Sequence, residues 1–256
     1  MLTRVSPAAE ACRATSDSVV LFTCTSNHSA QQPPLMDTSI DSTRFNMVRQ
    51  QIQPWNVVDD RVLSVMADIP REQFVPAAYR NLAYADMDVP IGEGQTMLAP
   101  KVVAHLLQAL DIRTDDKILE IGTGTGYVTA CLSRLGGWVV SVELHAGLAE
   151  QAQTVLQALG LRRLEMRVGD GLEGPVAEGP FDMIAVTGSL PNTESLEILE
   201  KQLSPDGRLF TVIGEEPVME ALIVTRVTDQ DFRRQSLFET CVPALEKIPV
   251  PERFVF

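Results

Sequence analysis

The chain has 256 residues, 45% hydrophobic and 21% charged, with a net charge of -13. That balance can bury one substantial core, so a single domain with short appendages is expected. With 34 acids against 21 bases and no Lys/Arg run, the composition argues against a nucleic-acid partner, because phosphate binding rests on clustered cations.

The longest wholly apolar run in the first forty residues, Val19-Val20-Leu21-Phe22, falls far short of the roughly 20 residues a bilayer span needs, and of a secretory leader. No membrane association is expected. Cys12, Cys24, Cys131 and Cys241 are scattered without metal or redox spacing and read as free thiols of a reducing, cytoplasmic setting. His28, His105 and His145 form no ligand pair, so no metal site is expected.

Residues 1–38 are rich in Ser, Thr, Ala, Gln and Pro without an apolar period, which predicts a disordered extension. Met36 stands where that composition ends and is a second candidate for the translation start. Residues 39–256 form the expected domain, divided into a helical, substrate-side segment 39–110, a core 111–242 and an arm 243–256. Phe45, Val48 and Ile52 recur at helical spacing over 40–53, and Val58, Val62, Val65 and Met66 over 57–67 before Pro70 stops the pattern. Residues 71–95 mix prolines and glycines with Phe74, Tyr79 and Tyr84 and with Asp86, Asp88 and Glu93, and read as an irregular connector able to wall a site. Pro100 suits the first turn of a helix over 101–110, in whose apolar run His105 reads as structural.

Beyond this the pattern alternates. Strands are predicted over 117–121, 138–143, 164–168, 182–187 and 208–213, with helices over 127–135, 146–159 and 194–203. Residues 221–227 and 232–242 are β-rich and separated by polar residues 228–231, as in a terminal antiparallel hairpin. The fold class is therefore α/β: a doubly wound, mostly parallel, seven-stranded sheet with N-terminal helices and a C-terminal hairpin. Pro243, Pro249 and Pro251 make the last segment an extended arm.

In such a sheet ligands sit beyond the carboxyl ends of the strands, where a glycine-rich turn lets backbone come close. Gly122, Gly124 and Gly126 occupy that turn. A dinucleotide fingerprint would need glycine at 127, which is Tyr127, and no lysine follows to cradle phosphates. An acid, one further residue and three alternating glycines, here Glu120 to Gly126 with Thr123 inside, resemble an S-adenosylmethionine loop instead. Glu143 ends the second strand about 20 residues later, where a carboxylate can accept both ribose hydroxyls, with Leu144 beside it. Asp170, next to Gly171, stands after the third strand and can accept from an adenine amino group. His145 reads as a loop residue, with a cofactor neighbour as the alternative. An acidic site also suits a cationic sulfonium.

The sequence resembles the protein-L-isoaspartate O-methyltransferase family from about Phe45 to Phe210. The likeness is densest in Arg71-Glu-Gln-Phe-Val-Pro76, Val89-Pro-Ile-Gly-Glu-Gly-Gln-Thr96, Ile118-Leu-Glu-Ile-Gly-Thr-Gly-Thr-Gly-Tyr127, Gly169-Asp-Gly171 and Pro205-Asp-Gly-Arg-Leu209. The resemblance implies a Rossmann-like, S-adenosylmethionine-dependent enzyme that methylates isoaspartyl α-carboxylates in damaged proteins. Such a carboxylate, of pKa about 4, is already ionised at neutral pH and needs no general base. One departure stands out: the family's usual active-site serine is replaced by Leu98, and the following glutamine by Ala99. Thr96 and nearby amides are then the remaining groups able to orient the acceptor. Two rival readings are a small-molecule acceptor against Met97 and Leu98, and a cofactor-binding protein that transfers nothing and acts through its acidic surface or its arm.

Overall fold

The computed structural model describes residues 38–248, which fall within one compact unit. The expected extension, the start at Met36 and the arm beyond 248 lie outside the described residues; Thr38 already opens the first helix.

Helix α1 (Thr38–Asn46) runs into a π-helical turn over Met47–Ile52 and a 3-10 turn over Gln53–Trp55. The single helix expected over 40–53 is thus interrupted, and its predicted face is corrected. The wider π turn carries Met47, Val48 and Ile52 together into the core and leaves Phe45 59% exposed. In α2 (Asp60–Asp68) the Asp59 side chain caps the first turn by accepting the Arg61 N–H at 2.8 Å. Val58 therefore precedes the helix and is exposed, while Val62, Leu63 and Met66 are buried.

The connector is more ordered than expected. After 3-10 turns over Arg71–Gln73 and Ala77–Leu82, strands β1 (Val89–Gly92) and β2 (Gln95–Met97) pair as a short antiparallel hairpin. Their brevity, with Pro90, Gly92 and Gly94 among them, hides them from a periodicity reading. Helix α3 (Pro100–Leu110) opens on Pro100 as predicted.

The main sheet contains β3 (Lys117–Ile121), β4 (Trp138–Glu143), β5 (Leu164–Val168), β6 (Phe181–Leu190), β7 (Leu203–Glu215), β8 (Val218–Arg226) and β9 (Phe232–Glu239), in the order β5-β4-β3-β6-β7-β8-β9. The five strands from β5 to β7 are parallel, and β8 and β9 add as an antiparallel pair. Helices α4 (Tyr127–Leu135) and α5 (Ala146–Ala158) lie where expected. The helix predicted over 194–203 shrinks to a 3-10 turn and α6 (Glu197–Glu200), because Leu203 is fully buried opposite Phe181 and already belongs to β7.

Alternate residues of the central strands enter two separate cores: Ile118, Met183 and Ala185 one, Leu119, Ile184 and Val186 the other. Burial on both faces explains why apolar residues in these strands are not confined to alternate positions. The chain moves outward from β3 to β5 and then returns to β6 on the opposite side of β3. That reversal opens a crevice beyond the carboxyl ends of β3 and β6.

Candidate functional site

The glycine loop turns from β3 into α4 with φ of +92° at Gly122, +55° at Gly124 and +89° at Gly126. A Cβ on Gly122 would run into the Thr187 hydroxyl, which crosses from β6 to donate to the Gly122 carbonyl at 2.5 Å. Gly126 has a different task. A Cβ there would stand 3.1 Å from Leu156 Cδ1 and 3.2 Å from Ala152 Cβ, so this glycine admits α5 against the loop.

Glu143 ends β4 only 4% exposed. Its Oε2 accepts the Gly124 N–H at 2.7 Å and its Oε1 the His145 N–H at 2.9 Å. Each oxygen keeps a second lone pair for another donor. Asp170 Oδ1 accepts the Leu172 N–H at 2.9 Å, so this acid both caps its own turn and lines the cleft. A Cβ on the adjoining Gly171 would come within 2.6 Å of Ile121 Cδ1. Gly122, Gly124, Glu143, Leu144, Asp170 and Gly171 line a single cleft.

Glu120, expected among the cofactor contacts, does not line that cleft. It is fully buried beneath the loop, with Oε2 accepting from Thr129 Oγ1 at 2.5 Å and from Ser141 Oγ at 2.6 Å. Since Ser141 uses its proton on Glu120, Thr123 Oγ1, 2.5 Å away, donates to Ser141. Burial pushes the Glu120 carboxyl up to about 8. The residue ties β3, β4, α4 and the loop together, which is a brace rather than a contact.

A second, smaller pocket adjoins the cleft and shares Ile91, Thr96, Gly122, Gly124 and Thr187 with it. Thr123, Met97, Leu98 and Tyr127 complete much of its wall. Thr96 Oγ1 is buried without a hydrogen-bond partner. Leu98 is 5% exposed, and its carbonyl accepts from Arg71 Nη2 at 2.8 Å. The Ala99 N–H donates to Asp88 Oδ1 at 2.7 Å. The unforeseen β1–β2 hairpin therefore delivers Ile91, Gln95 and Thr96 to the site.

His145 does lie in the loop before α5, but it also lines the cleft. Its Nε2 is 3.0 Å from Glu246 Oε1, which also accepts from Gln95 Nε2 at 2.6 Å. The first part of the arm is thus drawn across the site. Ala244 bridges to Ser189, and Leu245 lines the cleft near Gly122. Sequence reasoning missed Gln95, Thr187, Leu245 and Glu246; Gln95 and Glu246 are 151 residues apart, and no local pattern signals their meeting. His105 stacks on Phe238 with centroids 4.6 Å apart, and burial lowers its pKa, as suits a structural histidine. Among the described residues, no group of three His, Cys, Asp or Glu could hold a metal, and no helix is long and apolar enough to cross a membrane.

Comparison with known proteins finds the protein-L-isoaspartate(D-aspartate) O-methyltransferase family model matching residues 42–246. Protein-L-isoaspartate O-methyltransferase 1 of Rhodopseudomonas palustris is 37% identical over 211 residues, 81% of this chain and 85% of that protein. The protein-L-isoaspartate O-methyltransferase of Koribacter versatilis is 41% identical over 197 residues, 77% of this chain and 86% of that protein. A solved structure from Plasmodium falciparum, provisionally named as such an enzyme and holding S-adenosyl-L-homocysteine, superposes with a TM-score of 0.68. It is 21% identical and covers 82% of this chain and 99% of its own, a likeness of fold.

Proposed function

This chain belongs to the protein-L-isoaspartate(D-aspartate) O-methyltransferase family, and on that premise we propose that it moves the methyl group of S-adenosylmethionine onto the α-carboxylate of isoaspartyl residues in damaged proteins. The observation that carries the reading is the junction of the two pockets. Thr96, Gly122 and Gly124 line both, and Thr96 Oγ1 is buried there without a partner.

The cleft suits the cofactor. Glu143 combines near-complete burial with unused lone pairs, as a receiver for two ribose hydroxyls requires. Asp170 would take the adenine amino group, while Leu144 and Gly171 flank it. Gly122, Thr123 and Gly124 would hold the remaining portion, with Gly126 and Glu120 shaping the loop from behind. S-adenosylmethionine, when bound, supplies a methyl carbon made electrophilic by its sulfonium.

The chain's own residues then have little chemistry to perform. The acceptor carboxylate, of pKa about 4, arrives ionised, so no residue need remove a proton. Thr96 donates a hydrogen bond that fixes its angle, and Ile91, Met97 and Leu98 keep water away. Orientation of this kind is worth up to roughly 7 to 11 kcal/mol. The carboxylate oxygen gains the methyl as the carbon–sulfur bond breaks with its electron pair left on sulfur, so the products are a neutral ester and a neutral thioether.

The three-part division extends this reading: the substrate-side segment 39–110 brings Thr96 and Leu98, the core 111–242 the glycine loop and both acids, and the arm from 243 Leu245 and Glu246. A cytoplasmic setting is supported by Cys131 and Cys241, both free thiols. A second reading, the same transfer to a small apolar acceptor, is favoured by Leu98, whose buried side chain lines the acceptor pocket. Labelled methyl transfer to an isoaspartyl peptide beside its normal aspartyl twin tests the first: label on the isoaspartyl peptide alone is expected, and background on both overturns it.

A further inference from the structure

Arg71 is a fully buried cation without an ion pair among the described residues. Its Nε donates to the Ala83 carbonyl at 2.7 Å and its Nη2 to the Leu98 carbonyl at 2.8 Å, while Nη1 has no partner. Its Cζ stands 4.7 Å from the centroid of Tyr127, whose own hydroxyl is buried and unpartnered.

Two of its neighbours place it. Leu98 and Tyr127 both line the smaller pocket beside the glycine loop, so the guanidinium sits one layer behind that wall. A guanidinium is not deprotonated in proteins, and a buried charge left unpaired is costly. Asp88 is the carboxylate whose field reaches the guanidinium, but it makes no ion pair with it and spends Oδ1 on the Ala99 N–H, and burial raises its pKa. From α4, Tyr127 and Cys131 face the guanidinium, and burial pushes both upward, which keeps them neutral. A group of opposite sign entering the pocket would offset the guanidinium charge more fully.

We infer that Arg71 is a positioning residue for the acceptor: it fixes the Leu98 carbonyl, and with it the Thr96–Ala99 segment, and its charge, held in no ion pair, draws the substrate carboxylate into the pocket. This rests on the isoaspartyl reading above. A field reaching through Leu98 and Tyr127 attracts a carboxylate without a hydroxyl at that position, because low-dielectric walls screen it weakly.

The test compares an isoaspartyl peptide with its isoasparagine twin, in which the α-carboxylate becomes a neutral carboxamide, as competitors of methyl transfer. Wild type should favour the carboxylate by about tenfold or more. Arg71→Gln should erase that preference and raise KM for the isoaspartyl peptide about tenfold, with S-adenosylhomocysteine affinity unchanged. Arg71→Lys, which keeps the charge but loses the forked geometry, should retain the preference while kcat falls. Equal affinity of wild type for both peptides overturns the inference, and needs no variant to fold. So does an Arg71→Gln protein that binds S-adenosylhomocysteine normally and still prefers the carboxylate. Wild type that binds S-adenosylhomocysteine but never methylates the isoaspartyl peptide strikes the reading of the acceptor instead, and this inference with it.

Discussion

The Glu143 carboxylate accepts the Gly124 amide at 2.7 Å across 19 residues of sequence, so the acid at the end of β4 holds the glycine loop at the end of β3. The same side chain both shapes the loop and lines the cleft. Glu143→Ala should therefore weaken S-adenosylhomocysteine binding by more than one lost contact, because the Gly124 and His145 amides also lose their acceptor. A charge-assisted hydrogen bond is worth about 1.5 to 3 kcal/mol, which sets a tenfold loss as the lower bound. Asp170→Ala, which frees the single Leu172 amide, should cost less, about 1 to 2 kcal/mol. Calorimetry on both purified variants is the check, and unchanged affinity in both would remove the cofactor assignment.

Thr96→Val separates stability from turnover. The Thr96 hydroxyl has no partner in the protein, so a methyl of similar size should leave Tm unchanged or raise it slightly. Methyl transfer to an isoaspartyl peptide should nevertheless fall about ten- to hundredfold, the rate equivalent of one hydrogen bond to a charged acceptor. A variant with wild-type turnover would show that Thr96 does not orient the acceptor.

Leu98→Ser places a hydroxyl near Thr96 in the smaller pocket. Isoaspartyl methylation should rise about tenfold or more, equivalent to roughly 1.4 kcal/mol, with cofactor affinity hardly altered. The backbone bond from Arg71 to the residue 98 carbonyl does not depend on this side chain, so the turn should keep its place. Background rates in both proteins would favour the small, apolar acceptor.

Glu120 makes stability depend on pH in a definite direction. Its folded-state pKa of about 8 lies above the ordinary 4.5, so between those values the folded protein keeps a proton that the unfolded chain has released. Stability then declines as pH rises through that window and levels off above it. Glu120→Gln cannot ionise and should lose this slope. Its Tm relative to wild type should climb from near pH 5 to about pH 8, reflecting an effect on the order of a few kcal/mol. Parallel Tm profiles for the two proteins would contradict the raised pKa.

Part of the site is legible in the sequence because its signals are local. A strand, a run of alternating glycines and a helix lie within about twenty residues, and β4 and β5 each end in or beside an acid, so counting along the chain places Gly122, Gly124, Glu143 and Asp170. Burial on both sheet faces makes β3, β4 and β6 readable as well, since apolar residues dominate them without a strict alternation. Glu120 is visible as part of the same motif, but its direction is not: which face of β3 it occupies relative to the loop depends on how Thr129 and Ser141 pack against it.

By itself, then, the sequence determined the α/β class, the glycine loop with its two strand-end acids, and the substitution at Leu98, all of which rest on periodicity or short spacing. Only the tertiary structure decided how the segment around Thr96 and Leu98 is held. The β1–β2 hairpin is too short to have a period, the Arg71 guanidinium reaches Leu98 across 27 residues, and Glu246 reaches Gln95 across 151. Hydrogen bonds of that kind form because folding has already closed the loops between their partners, and nothing in the neighbourhood of either residue records the other.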